Sequence, residues 1–170
     1  MTLEKINNFT GRDTITFFLL SCGSKHWADE MRKRRPFSSV EEVHAAAEEI
    51  WHSLNEKDWR QAFGCHPRIG DINVLRKKYQ STAAMASGEQ SGVAAASEKT
   101  IQALAKGNEL YEAKFGYIFI VCATGKSADE MLALLNARLN NYPDEEIKIA
   151  AQEQAKITRI RLEKFLNPIT

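Results

Sequence analysis

Charge of either sign is not in excess in this chain. Lys and Arg total 23 against 22 for Asp and Glu, for a formal net charge of +1 at pH 7. A nucleic-acid-binding domain normally carries a basic stripe and a pI above about 9, so the electrostatic argument for such a partner is missing. Long apolar runs are missing too. The longest, Tyr117 to Ala123, falls far short of the roughly 20 residues a membrane-spanning helix needs, and mean hydropathy is −0.39. Cysteine is scarce: Cys22, Cys65 and Cys122 are odd in number and form no C-x-x-C pair. That excludes a disulfide scaffold and reads as reduced thiols in a cytoplasmic protein. The start, Met1-Thr2-Leu3-Glu4-Lys5-Ile6, lacks a basic segment followed by an apolar core, so no secretory signal is expected. The end, Asn167-Pro168-Ile169-Thr170, matches no peroxisomal or retention address. No Gly/Ser-rich or Pro-rich linker divides the chain, and no internal period repeats.

What is present is ordinary in amount and helical in pattern. Of 170 residues, 44% are hydrophobic and 26% charged, a balance that suits one soluble domain burying about two-thirds of its unfolded surface. Ser39 with Glu42 makes a capping-box pattern, after which Val40, Val43, Ala47, Ile50 and Trp51 share a helical face. Asn55 is placed to cap a short helix carrying Trp59 and Phe63. Ser127 with Glu130 repeats the box ahead of Met131, Leu132, Leu134, Leu135 and Leu139. Asp144 opens a long final helix through Ile147, Ala150, Ala151, Ile157, Ile160 and Phe165, closed at Asn167-Pro168. Earlier helices are expected over Thr14–Leu20 and, with Ser24 as cap, Lys25–Met31. One more is expected over Gly92–Lys114, weakened at Gly107. Tyr117-Ile118-Phe119-Ile120-Val121-Cys122 reads as a strand by propensity. It has no partner strand in the sequence, so an extended buried segment among helices is expected at 117–123. The fold class is all-α, with residues 1–170 forming a single domain.

Three stretches could carry chemistry. In Phe63-Gly64-Cys65-His66-Pro67-Arg68-Ile69-Gly70-Asp71, glycines permit tight turns and Pro67 restricts His66 to an extended backbone. A stiff loop then presents one imidazole, the side chain best suited to exchanging protons near neutrality. A purely structural histidine bonded to a backbone carbonyl fits the same residues. In Ser87-Gly88-Glu89-Gln90-Ser91-Gly92, hydrogen-bonding groups crowd a helix start, as an anion site or simply a cap with Glu89 complementing the dipole. Arg161 sits among apolar residues at helical spacing. It therefore faces inward or lies at the core's rim and wants a carboxylate, from a substrate or from the protein.

The remaining candidates are weaker. His44 reads as a core-edge histidine, His52 as solvated, and His26 as lacking a nearby acid. Cys65 reads as core filler, since adjacent extended residues point to opposite sides. No H-x-H or H-E-x-x-H pattern supports a metal site. Gly125-Lys126-Ser127 lacks the glycine a phosphate-binding loop needs at the position of Ile120.

Together these stretches resemble the OHCU decarboxylase family of urate catabolism, whose substrate is 2-oxo-4-hydroxy-4-carboxy-5-ureidoimidazoline. The resemblance rests on Cys22-Gly23-Ser24 with Trp27, Arg35-Pro36-Phe37, Ala62-Phe63, His66-Pro67-Arg68-Ile69-Gly70, Glu89-Gln90 and Phe115-Gly116. It continues through Phe119-Ile120-Val121-Cys122-Ala123, Gly125-Lys126-Ser127 and Arg161-Leu162. It implies an all-helical, cofactor-independent homodimer that turns an anionic ureidoimidazoline into (S)-allantoin and CO2, with no metal. It also implies His66 as catalytic acid or base with Glu89 as acidic partner. Pro67, Gln90 and Arg161 would line the substrate site, with backbone groups of Phe119, Ile120, Val121, Cys122 and Ala123 against the ring. The family often has serine where Ala86 stands, so Ser87, one place later, is the hydroxyl expected there. Two other readings stand beside this one: a non-catalytic helical interaction module, and an enzyme of the same fold acting on a neighbouring urate-oxidation intermediate.

Overall fold

The computed structural model describes residues 1–68, 71–86 and 91–167, and their side chains apart from those of residues 80–97. Among the described residues there are nine α-helices and no strand: α1 (Leu3–Asn8), α2 (Gly11–Ser21), α3 (Lys25–Arg34), α4 (Val40–Ser53), α5 (Glu56–Phe63), α6 (Ile72–Ala86), α7 (Ser91–Phe115), α8 (Ala128–Leu139) and α9 (Pro143–Leu166). The all-α expectation holds. No described helix is long and apolar enough to cross a membrane.

The helix starts follow from side-chain chemistry legible in the sequence. Ser24, Ser39, Asn55 and Ser127 each accept a hydrogen bond from the backbone N–H three residues on, satisfying a donor the helix cannot use internally. The capping box at Ser39 departs from its usual form. Glu42 reaches back to Ser38, accepting from its backbone N–H and from its hydroxyl, each at 2.6 Å. Two helices were not expected. α1 is a single capped segment, in which Thr2 accepts from Lys5 N–H. α6 follows Asp71, whose carboxylate accepts from Asn73 N–H at 2.8 Å.

The chain forms two compact units, residues 1–66 with 147–170, and residues 67–146. The first has an aromatic core. Phe18 and Trp27 are fully buried and meet edge to face at 5.9 Å, and Phe17 packs on Phe165 at 5.3 Å. Each indole N–H finds a carbonyl: Trp27 donates to Ala47 O, Trp51 to Ala151 O and Trp59 to Trp51 O. The Trp51 bond ties α9 to α4. Arg35 donates to the carbonyls of Ile6, Asn7 and Phe9, closing the C-terminal end of α1, where carbonyls lack helical partners.

In the second unit α8 packs on α7, and Gly107 explains how closely. A Cβ at that position would lie 2.6 Å from Leu135 Cδ2, so the residue expected to weaken α7 instead admits Leu135 without breaking the helix. Beyond Gly116 the segment 117–123 is neither helix nor strand, with Tyr117, Ile120 and Cys122 buried. Side chains hold it in place of a partner strand. Arg138 donates to Ile120 O at 2.7 Å and Lys126 Nζ to Cys122 O at 2.6 Å. The Arg138 guanidinium also lies 4.5 Å from the centre of the Phe119 ring and pairs with Glu146, which is fully buried. Tyr111 and Asn141 donate to the same carboxylate.

Candidate functional site

His66 lies where α5 runs out. Its N–H reaches Phe63 O and that of Cys65 reaches Ala62 O, continuing the last turn for two residues while fully buried Phe63 anchors the helix end. Pro67 then disfavours helical backbone at His66. The half-buried imidazole places Nε2 2.5 Å from Gln154 Oε1. Gln154 is fully buried on α9, and its Nε2 donates to Thr158 Oγ1 at 3.2 Å. Arg161 completes the row. Residues 154, 158 and 161 are four and three apart, so they lie on one helical face. Half-buried Arg161 donates to Ser21 O, at the C-terminal end of α2, at 3.4 Å. Among the described residues no carboxylate pairs with it.

The electrostatics favour a neutral imidazole. Burial holds His66 below its ordinary value of 6.5; the contact with Gln154 acts in the opposite sense, and the positive charge of Arg161 depresses it further. A neutral ring carries one N–H and one basic lone pair, which is the form a general base requires. Cys22, below Thr158, behaves differently. Burial pushes its thiol up to about 11, outweighing the Ser24 backbone, the Thr158 hydroxyl and Arg161. A thiol held protonated is a packing group and not a nucleophile.

Two expectations are corrected. Cys65 is exposed instead of filling the core. Its side chain lies over Gly23, with Sγ 3.6 Å from Gly23 O, and a Cβ on Gly23 would come within 2.5 Å of it. His26 does have an acid: Asp58 Oδ2, 32 residues away, is 3.0 Å from Nδ1. His44 is buried as expected at the core edge, and His52 is exposed.

Of the expected site residues, His66 and Arg161 are brought together. Pro67 is exposed, and Phe119 to Ala123 lie in the non-helical segment of the second unit, where the carbonyls of Ile120 and Cys122 are already engaged. Ser87, Glu89 and Gln90 lie outside the described residues. Reading the sequence missed Gln154, Thr158 and Cys22. The available signal was the spacing of Gln154, Thr158 and Arg161, three polar residues on one row of α9.

Comparison with known proteins points in one direction. The family model described as OHCU decarboxylase matches residues 7–163. The chain is 37% identical over 146 residues to the uric acid degradation bifunctional protein TTL of Arabidopsis thaliana, covering 86% of this chain and 45% of that protein. It is 26% identical over 167 residues to the 2-oxo-4-hydroxy-4-carboxy-5-ureidoimidazoline decarboxylase of Haloferax volcanii, covering 97% and 96% of the two chains. A crystal structure of an OHCU decarboxylase in the presence of (S)-allantoin superposes with a TM-score of 0.69 at 36% identity, covering 87% of this chain and 95% of that one.

Proposed function

Because the chain belongs to the OHCU decarboxylase family, we propose that it decarboxylates 2-oxo-4-hydroxy-4-carboxy-5-ureidoimidazoline to (S)-allantoin and CO2, as a carboxy-lyase of urate degradation. The observation that carries this reading is a neutral, half-buried imidazole beside a guanidinium that no described carboxylate neutralises. One supplies a base and the other a cation for an anionic heterocycle.

The chemistry needs little more from the protein. When CO2 leaves C4, its bonding electrons pass into the adjacent imine of the ring, so the substrate is its own electron sink. His66 takes the hydroxyl proton as the C4 carbonyl forms, and a proton is delivered to one face of C5, which fixes the hand of the product. Arg161 is most useful if it grips ring oxygens that gain negative charge. Holding the departing carboxylate instead would stabilise the ground state as well as the transition state.

Glu89 as acidic partner, and Pro67, Ser87, Gln90 and the backbone of Phe119 to Ala123 as substrate contacts, are assigned by the family resemblance. Residues 1–170 are taken as one decarboxylase domain, acting as a homodimer in the cytoplasm. Light scattering of purified protein tests the dimer.

The test of function is direct. His66→Ala is expected to abolish optically active allantoin formation from freshly oxidised urate, followed by circular dichroism, while its far-ultraviolet spectrum stays native. Stereospecific activity surviving in that variant would remove His66 from the mechanism.

A further inference from the structure

The geometry points to Gln154 as a positioning residue that fixes which ring nitrogen of His66 carries the proton. A neutral imidazole has two tautomers of similar energy in water, and its neighbours decide between them. The neighbour of Nε2 is the Gln154 carboxamide, which could present either oxygen or nitrogen. What lies behind the carboxamide makes the choice. Its other end faces Thr158 Oγ1 at 3.2 Å.

The Thr158 oxygen takes the amide N–H, which leaves the amide oxygen, a group that only accepts, facing the imidazole. Gln154 Nε2 donates to that oxygen, and Oε1 turns to His66 Nε2 at 2.5 Å. The donors thus run in one direction, His66 to Gln154 to Thr158. Reversing the carboxamide would require the opposite tautomer at His66 and a Thr158 hydroxyl turned to donate, so the amide and the ring proton are set together. Gln154 is fully buried and Thr158 nearly so, so water does not stand in for either partner and the two ends of the amide stay coupled. The imidazole therefore holds its proton on Nε2, and Nδ1 is the basic nitrogen.

This assignment extends the decarboxylase reading, and only its kinetic arm depends on that reading. The spectroscopic arm uses 15N-histidine-labelled wild-type protein at pH 7.5, with the His66 signals identified by their loss in His66→Ala. A pyrrole-type shift at Nε2 and a pyridine-type shift at Nδ1 are expected. The reverse pattern, or an even mixture, overturns the assignment whether or not the protein decarboxylates anything.

In the kinetic arm Gln154→Leu removes the acceptor at similar volume. It is expected to lower kcat roughly 10–100-fold, the range for losing a group that orients a functional histidine, with KM within a few-fold. Gln154→Glu restores an acceptor and recovers much of kcat, while its charge moves the acid limb of the pH profile upward. An unchanged kcat in Gln154→Leu with an unmoved limb in Gln154→Glu also overturns the proposal. If Gln154→Leu does not fold, the wild-type tautomer and the Gln154→Glu profile still decide.

Discussion

His66 combines two pressures that usually oppose each other. As the proposed base it needs enough burial to stay uncharged and enough exposure to meet a substrate. Because its ionisation lies below the ordinary 6.5, the acid limb of kcat/KM is expected below pH 6.5, and a limb at or above that value would contradict the burial argument. Stability follows the same sign. Between the native and the unfolded values the unfolded chain binds more protons at this site, so the contribution is complete above 6.5 and is lost as pH falls through that window. His44, also depressed by burial, adds in the same direction. Urea midpoints at pH 7.5 and 5.5 should show the loss. The thiols separate just as sharply. Iodoacetamide is expected to label exposed Cys65 in native protein, and Cys22, buried and with a thiol pushed up to about 11, only after unfolding. Mass spectrometry of the tryptic peptides distinguishes the two.

Among the elements, α8 and the segment before it depend on one buried ion pair. Arg138 and Glu146 expose 8% and 0% of their side chains, and the carboxylate also receives Tyr111, whose hydroxyl burial holds firmly protonated. Glu146→Ala leaves a guanidinium buried without its counter-charge and is expected to cost about 3–5 kcal/mol in denaturant titrations. Replacing both members with apolar residues, Arg138→Met with Glu146→Leu, should cost much less. If the single and double variants are equally unstable, the loss comes from packing and not from an uncompensated charge. α9 shows the other use of a helix. The row of Gln154, Thr158 and Arg161 is set once by helical geometry, so one element carries both the partner of His66 and Arg161.

For the molecule as a whole, the net charge of +1 means that attraction for an anionic substrate is local. Raising ionic strength from about 0.02 to 0.2 M is expected to change kcat/KM only a few-fold, because no long-range field of one sign is available to screen. A drop of a hundredfold would show steering that the composition does not provide.

Legibility of the sequence divides along the same line between local and distant. Ser24, Ser39, Asn55 and Ser127 could be read as caps because a cap needs only its own next turn. The break from helix at 117–123 could be read because an apolar, β-branched run between two glycines has little helical preference. α1 and α6 could not, one being a turn and a half and the other carrying its charges without a clean apolar stripe. The exposure of Cys65, the His26–Asp58 pair and the burial of Gln154 depend on residues 42, 32 and 88 positions away. No pattern within a helix announces them. His66 and Arg161 were legible as unusual, but the amide linking His66 to the row that carries Arg161 was not.

The side chains that hold residues 117–123 have a further consequence. Tyr-Ile-Phe-Ile-Val-Cys is the kind of run that stacks into cross-β fibrils when its edges are bare: apolar, β-prone, uncharged and free of proline. Here Arg138 and Lys126 occupy carbonyls on which a second copy of the strand would otherwise register, so two cations act as gatekeepers against self-assembly. The pair that fixes Arg138 thus protects solubility as well as the fold, and partial unfolding that frees α8 is expected to lead to aggregates faster than to a soluble unfolded chain.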